Sequence, residues 1–366
     1  MLAMTALAVP AATRLDALRG DAASQEFAQA TAPRTFGFPL DHGPHPEFRH
    51  EWWYITGHLE AQNGERFGFE LTFFRYALAP PKSQILSTTD SAWRTNQVYL
   101  AHFAVTDLQR RDFHFAERYS REALGLAGAR SDPLRVWLED WSLAASTQSR
   151  WTLRAASERY ALDLDLQPLM APVLNGDRGL SRKSDVLGAA SYYYSIPRIA
   201  VRGQITREGR PVDVQGLAWL DREWGSGTLG ADQQGWDWFA LQFDDRSALM
   251  FYSLRREDGT RDPYSAGTWV GPDGRSRALT NEDVEIDVLN RWTSPQGGIY
   301  PASWRIRVPS LSIDIKVRPL LANQELLTNP RYWEGAVTVA GQRDSGDLAG
   351  QGYVELVGYS TVKRQP

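Results

Sequence analysis

The stretch Leu311-Ser-Ile-Asp-Ile-Lys-Val-Arg318 alternates between apolar and polar side chains at every position. Residues 161–166 (ALDLDL) and 284–288 (VEIDV) repeat this alternation. A period of two residues is typical of a β-strand that buries one face and exposes the other to water. These stretches therefore predict antiparallel sheets with one apolar face.

Similar strand patterns follow one another through most of the chain, while helical patterns are sparse. Turn signals such as Asn63-Gly64, Asp258-Gly259 and Asp273-Gly274 separate them. Two consecutive sets of about eight or nine predicted strands suit two closed barrels, which leave no free sheet edge. We therefore predict an all-β chain with two tandem antiparallel β-barrel domains, at residues 35–225 and 226–366.

The composition of the 366-residue chain excludes several classes of protein. Hydrophobic residues make up 42% of it, which is enough for a core, and the formal net charge of −4 argues against a basic nucleic-acid-binding protein. The absence of cysteine excludes disulfide scaffolds, zinc–thiolate sites and iron–sulfur clusters. All six histidines precede residue 115. We predict no metal and no cofactor.

Residues 1–34 form a tail ahead of the first predicted barrel. The stretch MLAMTALAVPAAT, residues 1–13, resembles the apolar region and cleavage zone of a signal peptide, without the positive region that normally precedes it. No run of the sequence approaches the roughly 18 apolar residues that a transmembrane helix requires. We therefore predict a signal-peptide remnant in this tail, a periplasmic or secreted protein, and no transmembrane segment.

Carboxylates and tryptophans occur together in three motifs, at residues 50–54 (HEWWY), 216–225 (GLAWLDREWG) and 235–244 (GWDWFALQFD). These motifs hold six of the fourteen tryptophans. An acid beside indole rings is partly desolvated, which raises its pKa and suits it to proton donation. The residues predicted to transfer protons are Glu51, Asp221, Glu223 and Asp237.

Three consecutive tyrosines precede a proline in ASYYYSIPR, residues 190–198. Strand alternation places Tyr192 and Tyr194 on one face and Tyr193 on the other. Aromatic rings that line an apolar pocket can orient a polar group of a ligand. The residues predicted to contact a ligand are Trp52, Trp53, Tyr192, Tyr194, Trp219, Arg222, Trp224, Trp236 and Trp238.

Each motif also has a structural interpretation, which the sequence leaves open. Glu51 would pair with an arginine while the neighbouring aromatic rings fill a barrel. Asp221 and Glu223 share a strand face with Trp219. Arg222 would neutralise both acids in an ion-pair network between the domains, and the tyrosines would pack on a barrel.

Several motifs carry a resemblance to a known family. They are EFRHEWWYITGHL (47–59), SAWRTNQVYLAHFAVTD (91–107), GDRGLSRKS (176–184), ASYYYSIPRIAVRG (190–203), GLAWLDREWGS (216–226), GWDWFALQFDD (235–245), YWEGAV (332–337) and GYVELVGY (352–359). With them the sequence resembles the AttH-like, lipocalin-like family, which is labelled "predicted secreted hydrolase" and is related to carotenoid 1,2-hydratase (hydroxyneurosporene synthase). The resemblance implies two lipocalin-like barrels, export to the periplasm and an association with ABC transporters.

The resemblance to the hydratases implies addition of water to an isolated carbon–carbon double bond of an isoprenoid, with Asp221 or Asp237 as the acid. The residues that it would place around a carbocation, or around the water, are Trp219, Trp224, Trp236, Trp238, Tyr192 and Tyr194. Hydratase-like members have histidine directly after the aspartate of the LD-x-x-W-G motif. This chain has Arg222 there, which cannot relay a proton and is expected to hold Asp221 ionised.

Three functions follow as hypotheses. The first is an exported lipocalin-like protein that binds a lipid or isoprenoid-like ligand in the cell envelope. The second is a hydro-lyase of the carotenoid 1,2-hydratase type. The third is a secreted hydrolase, which the absence of a G-x-S-x-G motif and of any histidine beyond His114 disfavours.

Overall fold

The computed structural model describes residues 26–80, 92, 94–147, 149–227, 229–230, 232–328 and 330–359. The predicted signal-peptide remnant in residues 1–25 lies outside this range. The described residues form two antiparallel sheets. None of their helices has the length and apolar character needed to cross a membrane.

The first sheet contains thirteen strands. They are β1 (His50–Ala61), β2 (Arg66–Ala77), β3 (Gln97–Asp107), β4 (Asp112–Arg121), β5 (Ala127–Ser131), β6 (Leu134–Leu138), β7 (Trp141–Thr147), β8 (Arg150–Ala156), β9 (Tyr160–Pro168), β10 (Val173–Leu174), β11 (Leu180–Arg182), β12 (Ala190–Arg207) and β13 (Arg210–Gly227). Their order is β4-β3-β2-β1-β13-β12-β9-β8-β7-β6-β5, and the short strands β10 and β11 pair with β12. A 3₁₀ turn at Leu40–His42 precedes β1.

The second sheet contains ten strands. They are β14 (Gln233–Phe243), β15 (Ala248–Arg256), β16 (Ala266–Val270), β17 (Ser276–Leu279), β18 (Glu285–Thr293), β19 (Ile299–Val308), β20 (Ile313–Pro319), β21 (Glu325–Leu326), β22 (Tyr332–Arg343) and β23 (Gly346–Val357). Their order is β17-β16-β15-β14-β23-β22-β20-β19-β18, with β21 paired to β22. Two 3₁₀ turns, Asn281–Asp283 and Pro309–Leu311, lie in the connections.

The first sheet forms a nearly closed barrel and the second a half-barrel. The end strands β4 and β5 of the first sheet do not pair with each other through backbone hydrogen bonds. Side chains of β4 instead contact β9 and the connection that precedes it. The Tyr160 hydroxyl donates to Asp112 at 3.2 Å, and His114 Nε2 lies 3.0 Å from the Ser157 hydroxyl. The prediction of an all-β chain with two antiparallel, barrel-forming sheets is confirmed, although hydrogen bonds between the end strands of the described residues complete neither barrel.

The positions of the main apolar cores follow from the alternation of side chains along the strands. In β1, Trp53 and Ile55 point into the first barrel, whereas Tyr54 points toward the second sheet. A separate core fills the second barrel. Between the sheets, Tyr54 and Trp219 pack with Trp238 and other residues of the second sheet. We call this layer the seam.

A β-bulge in β12 decides which tyrosine faces the seam. Ile196 pairs with Leu220 and Ile199 pairs with Ala218, so β12 carries one extra residue between these pairs. An extra residue reverses the alternation of side chains. Beyond the bulge the odd-numbered Ile199 points into the first barrel, whereas before it the odd-numbered Tyr193 points into the seam.

Candidate active site

A cavity with about 900 Å³ of empty space, including its mouth, lies in the seam. Nine of the sixteen described residues that line it are aromatic, and four are ionisable acids or lysine. The lining residues are Trp52, Tyr54, Phe74, Tyr76, Lys183, Tyr193, Asp221, Glu223, Leu229, Trp236, Trp238, Tyr252, Leu254, Pro330, Tyr332 and Glu355. Its aromatic walls suit an apolar ligand.

Asp221 is the most completely hydrogen-bonded acid of the cavity. Its Oδ1 accepts hydrogen bonds from the Ser195 hydroxyl and from Trp219 Nε1, both at 2.6 Å. The Tyr193 hydroxyl donates to Oδ2. The register explains this set, because Ser195 lies directly opposite Asp221 on β12 and Tyr193 opposite Glu223. The carboxyl group is therefore held in one orientation at the cavity wall.

Burial, together with the charge of the neighbouring Glu223, outweighs the three hydrogen bonds and raises the pKa of Asp221 to about 7. The side chain is only 3% exposed, and no arginine or lysine among the described residues forms an ion pair with it. A carboxyl that titrates near neutral pH can both donate and accept a proton under ordinary conditions.

Glu223 lies two residues further along β13 and has a different environment. It accepts a hydrogen bond from the Ser191 hydroxyl, and Lys183 Nζ lies 3.5 Å from its Oε1. Burial lowers the pKa of Lys183, but Glu223 and the Tyr252 ring outweigh this and raise it. Lys183 is therefore positively charged at neutral pH, beside Glu223. Two carboxyl groups with such different neighbours can divide the roles of acid and base.

The second sheet contributes Glu355, whose carboxylate accepts a hydrogen bond from Trp236 Nε1 at 2.7 Å. Burial, together with the charges of Asp221 and Glu223, outweighs the hydrogen bond from Trp236 and raises the pKa of Glu355 to about 8. The two sheets therefore present acids of near-neutral pKa to the same cavity.

Hydrogen bonds to the donors of Asp221 hold this arrangement in place. Trp238 Nε1 donates to the Tyr193 hydroxyl at 3.1 Å, which leaves the phenolic hydrogen directed at Asp221. Asn175 Nδ2 donates to the Ser195 hydroxyl at 2.9 Å, and Thr268 of β16 donates to Asn175 Oδ1 at 2.8 Å. Both chains of hydrogen bonds connect Asp221 to the second sheet.

Glu51 lies inside the first barrel, on the opposite face of the sheet from the cavity. Arg75 and Arg222 both donate to its carboxylate, as does the His45 backbone N–H at 3.1 Å. Burial raises the pKa of Glu51, but the two guanidinium groups outweigh it and hold the value well below its usual range. This is the ion-paired arrangement that the structural interpretation of Glu51 describes.

Arg222 does not contact Asp221. Adjacent residues of a strand point to opposite faces, so Arg222 points into the first barrel, where it lies 3.8 Å from the centre of the Trp53 ring. The expectation that Arg222 holds Asp221 ionised is therefore wrong. Trp53 and Trp224 belong to the same barrel core, and Trp224 stacks on His45 at 3.8 Å between ring centres.

Tyr192 and Tyr194 also point into the first barrel rather than into the cavity. The Tyr194 hydroxyl lies 2.6 Å from His42 Nδ1, and the Tyr192 hydroxyl donates to the Ala32 carbonyl at 2.9 Å. Asp237 points into the second barrel, where Arg255 contacts it at 2.5 Å and the Tyr359 hydroxyl donates to it at 2.8 Å. These three residues do not meet the cavity.

Of the sequence candidates, the structure brings Asp221, Glu223, Trp52, Trp236 and Trp238 to the cavity, with Trp219 hydrogen-bonded to Asp221. Their roles stay predictions. The candidates that lie elsewhere are Glu51, Trp53, Tyr192, Tyr194, Arg222, Trp224 and Asp237.

Sequence reasoning missed Tyr193, Lys183, Glu355 and Tyr252, which all line the cavity. Tyr193 does lie on the opposite face from Tyr192 and Tyr194, as the alternation predicts, but the sequence does not show which of the two faces meets the cavity. Lys183 and Glu355 lie in motifs that carry the family resemblance, GDRGLSRKS and GYVELVGY, and this was the available signal. Among the described residues, no group of three His, Asp or Glu side chains is arranged to bind a metal ion.

Two barrel-forming antiparallel sheets that enclose an acidic, aromatic cavity between them define the class of protein. The chain belongs to the AttH-like family, whose model matches residues 29–359. An AttH crystal structure from Nitrosomonas europaea is 34% identical, covers 91% of this chain and 100% of that one, and has a TM-score of 0.81.

Two further relatives have named activities. Kievitone hydratase from Nectria haematococca shares the fold, with a TM-score of 0.68 over 94% of this chain and 98% of that one at 16% identity. The dehydratase asqC of Emericella nidulans is 27% identical over 241 residues, which cover 58% of this chain. That match spans 63% of the dehydratase, less than two thirds of its length.

Proposed function

We propose that this protein is a hydro-lyase, which adds water to a hydrophobic substrate or removes water from it in the seam cavity. The observation that carries the proposal is Asp221, a buried carboxyl with a pKa of about 7 at the wall of an aromatic cavity. General acid–base groups work best when their pKa lies near the operating pH. The names of two relatives, a hydratase and a dehydratase, support the same reaction class.

The proposed step balances without a cofactor. Asp221 gives its proton to one carbon of a carbon–carbon double bond, and a new C–H bond forms. The oxygen of a water molecule bonds to the other carbon, and its surplus proton passes to a carboxylate of the cavity. Dehydration is the same sequence in reverse: the hydroxyl leaves as water, and a carboxylate takes the proton from the neighbouring carbon.

The aromatic walls have two roles in this proposal. The rings of Trp52, Trp236 and Trp238 stabilise positive charge that develops on carbon, because the face of an indole attracts cations. They also limit the access of bulk water, so that the added water is the one that the polar groups position. The same walls favour a lipid or isoprenoid-like substrate.

A second candidate function is binding of such a ligand without conversion, in the cell envelope as the N-terminal sequence predicts. The observation that favours binding is the predominantly aromatic lining. The two candidates differ in whether Asp221 is needed for chemistry or only for the shape of the cavity.

The test uses H₂¹⁸O and a panel of acyclic isoprenoids and isoprenyl-substituted phenols. The wild type is expected to give an alcohol that carries ¹⁸O, and Asp221→Asn is expected to be slower by roughly 100-fold. Asp262→Asn is the matched control, because Asp262 is buried but does not line the cavity. Asp221→Asn at the wild-type rate would exclude the acid role. Quenching of tryptophan emission without an ¹⁸O product would support binding alone.

A further inference from the structure

Glu355 lines the same cavity as Asp221 but comes from the other sheet. Asp221 belongs to β13 of the first sheet, and Glu355 belongs to β23 of the second. Trp236 Nε1 fixes one carboxylate oxygen of Glu355 at 2.7 Å. Because the two sheets pack against each other across the seam, the two acids reach the cavity from different walls.

Glu355 belongs to a group of acids that forms no ion pair with an arginine or lysine of the described residues. Glu334 lies directly opposite it on β22 and on the same face of the sheet, where the Tyr54 hydroxyl is 3.3 Å from its Oε2. Glu70 of β2 is fully buried, and only the Thr72 side chain lies close enough to lower its pKa. Burial raises the pKa of Glu70 and of Glu334 well above the usual range. Neighbouring carboxyl groups without a cation cannot all ionise, so this group holds protons.

We propose that Glu355 is a second proton-transfer residue of the cavity, which acts on the substrate from the side opposite to Asp221. The inference rests on the proposed function, and it assigns the two proton transfers to different sheets. One acid protonates carbon, and the other takes the proton from the incoming water. The hydrogen and the hydroxyl then add to opposite faces of the double bond.

In the alternative assignment, Asp221 and Glu223 carry out the two proton transfers. Asp221 and Glu223 both belong to β13 and lie two residues apart on the same wall. If one of these two acids protonated carbon and the other took the proton from water, the hydrogen and the hydroxyl would add to the same face of the double bond. The position of Glu355 on the other wall therefore predicts anti rather than syn stereochemistry.

A titration without substrate tests whether Glu355 and Asp221 interact across the cavity. The protein is labelled with ¹³C in the side-chain carboxyl groups of aspartate and glutamate, and Asp221→Asn and Glu355→Gln assign the two signals. In the wild type, we expect the Glu355 signal to titrate at about pH 8. Asp221→Asn should lower that midpoint, because it removes a negative charge beside Glu355. Asp262→Asn should leave it unchanged.

The other ionisable groups at the cavity are accounted for in the same spectra. Glu223 also raises the pKa of Glu355, so Glu223→Gln should lower the midpoint in the same direction as Asp221→Asn. Lys183 and the tyrosines carry no labelled carboxyl group, and the signal of Glu334, whose pKa is also raised by burial, is assigned separately from Glu334→Gln. A Glu355 midpoint in the usual range, or one that ignores Asp221→Asn, would overturn the pairing.

Activity gives the second readout, with a substrate that the ¹⁸O experiment identifies. Glu355→Gln is expected to lower kcat by roughly 100-fold while the tryptophan quenching by that substrate stays at the wild-type level. The high-pH limb of the rate profile should change as well, which a purely structural role would not produce. Wild-type kcat in Glu355→Gln, or syn addition in D₂O, would overturn the assignment. If no substrate is converted, the proposed function fails, whereas the titration still decides whether the two acids interact.

Discussion

Glu51 and Asp221 are both buried acids, and they lie on the adjacent strands β1 and β13. Glu51 faces the first barrel and meets two arginines, which hold its pKa well below the usual range. Asp221 faces the seam and meets only neutral donors, and burial raises its pKa to about 7. The same sheet thus separates a charged acid from one that can exchange a proton.

The difference shows that burial alone does not make a carboxyl group reactive. Burial disfavours the charged form of both residues, and the neighbours decide the result. Two guanidinium groups outweigh the cost of burying Glu51, whereas hydrogen bonds from a serine, a tyrosine and a tryptophan only partly offset it for Asp221. The motif around Asp221 combines burial with poised protonation, which is the property that catalysis needs.

The largest effect is expected from Glu51→Gln. This change leaves Arg75 and Arg222 buried with no carboxylate, and removing one partner of a buried ion pair costs about 3–5 kcal/mol of unfolding free energy. The measurement is urea denaturation followed by far-UV circular dichroism. Asp221→Asn is the comparison, and it is expected to cost less than about 2 kcal/mol because it leaves no charge unpaired. Equal losses in the two variants would remove the distinction between the two acids.

The second prediction concerns the dependence of stability on pH. The pKa of Asp221 is raised in the folded state, so its contribution to stability is complete below the unfolded pKa near 4 and is lost as the pH rises through about 7. The pKa of Glu51 is lowered, so its contribution is present above the unfolded value and is lost as the pH falls. Stability should therefore decline in both directions, with Glu51 contributing to the loss at low pH and Asp221 to the loss at rising pH.

Thermal unfolding between pH 3 and pH 9 tests this assignment. A single group such as Asp221 changes the unfolding free energy by up to about 1.4 kcal/mol per pH unit between its two pKa values. Asp221→Asn should flatten the decline from about pH 4 to about pH 7 and leave the loss below pH 4 as in the wild type. Glu355→Gln should reduce the decline as well, toward the higher end of that range. A decline that survives in both variants must come from other groups.

The sequence predicted the fold well because alternation is a local property. Stretches such as residues 311–318 show their buried face without reference to any partner strand, and β20 (Ile313–Pro319) has the expected pattern. The closure of the barrels was less predictable. The end strands β4 and β5 are not paired with each other. The residues of a strand do not reveal which distant strand it will pair with.

The site was predicted in part, for the same reason. Asp221, Glu223 and Trp219 share a face by simple alternation within one strand, and the structure keeps them together. Lys183 and Glu355 reach the cavity from a loop and from the second sheet, so only the packing of the sheets brings them there. The packing of one sheet on another is a long-range property that local patterns do not contain.

The adjacent residues Tyr193 and Tyr194 provide the comparison with the smallest structural difference. Tyr193 points into the seam and Tyr194 into the first barrel, as the bulge in β12 sets the alternation of side chains. Tyr193→Phe removes one of the three donors to Asp221, and loss of that hydrogen bond should raise the pKa of Asp221 above about 7. Tyr194→Phe removes a contact with His42 in the first barrel and should leave the titration of Asp221 unchanged.

The measurement is the same ¹³C carboxyl titration in the two variants, with the Asp221 signal assigned from Asp221→Asn. Deleting a single hydrogen bond of this kind is worth about 1.5–3 kcal/mol when the acceptor is charged. The expected upward shift of the Asp221 midpoint in Tyr193→Phe is therefore about one to two pH units. If Tyr194→Phe moved the Asp221 midpoint instead, Tyr194 rather than Tyr193 would face the cavity. The bulge between Ile196 and Ile199 would then not reverse the alternation of side chains along β12.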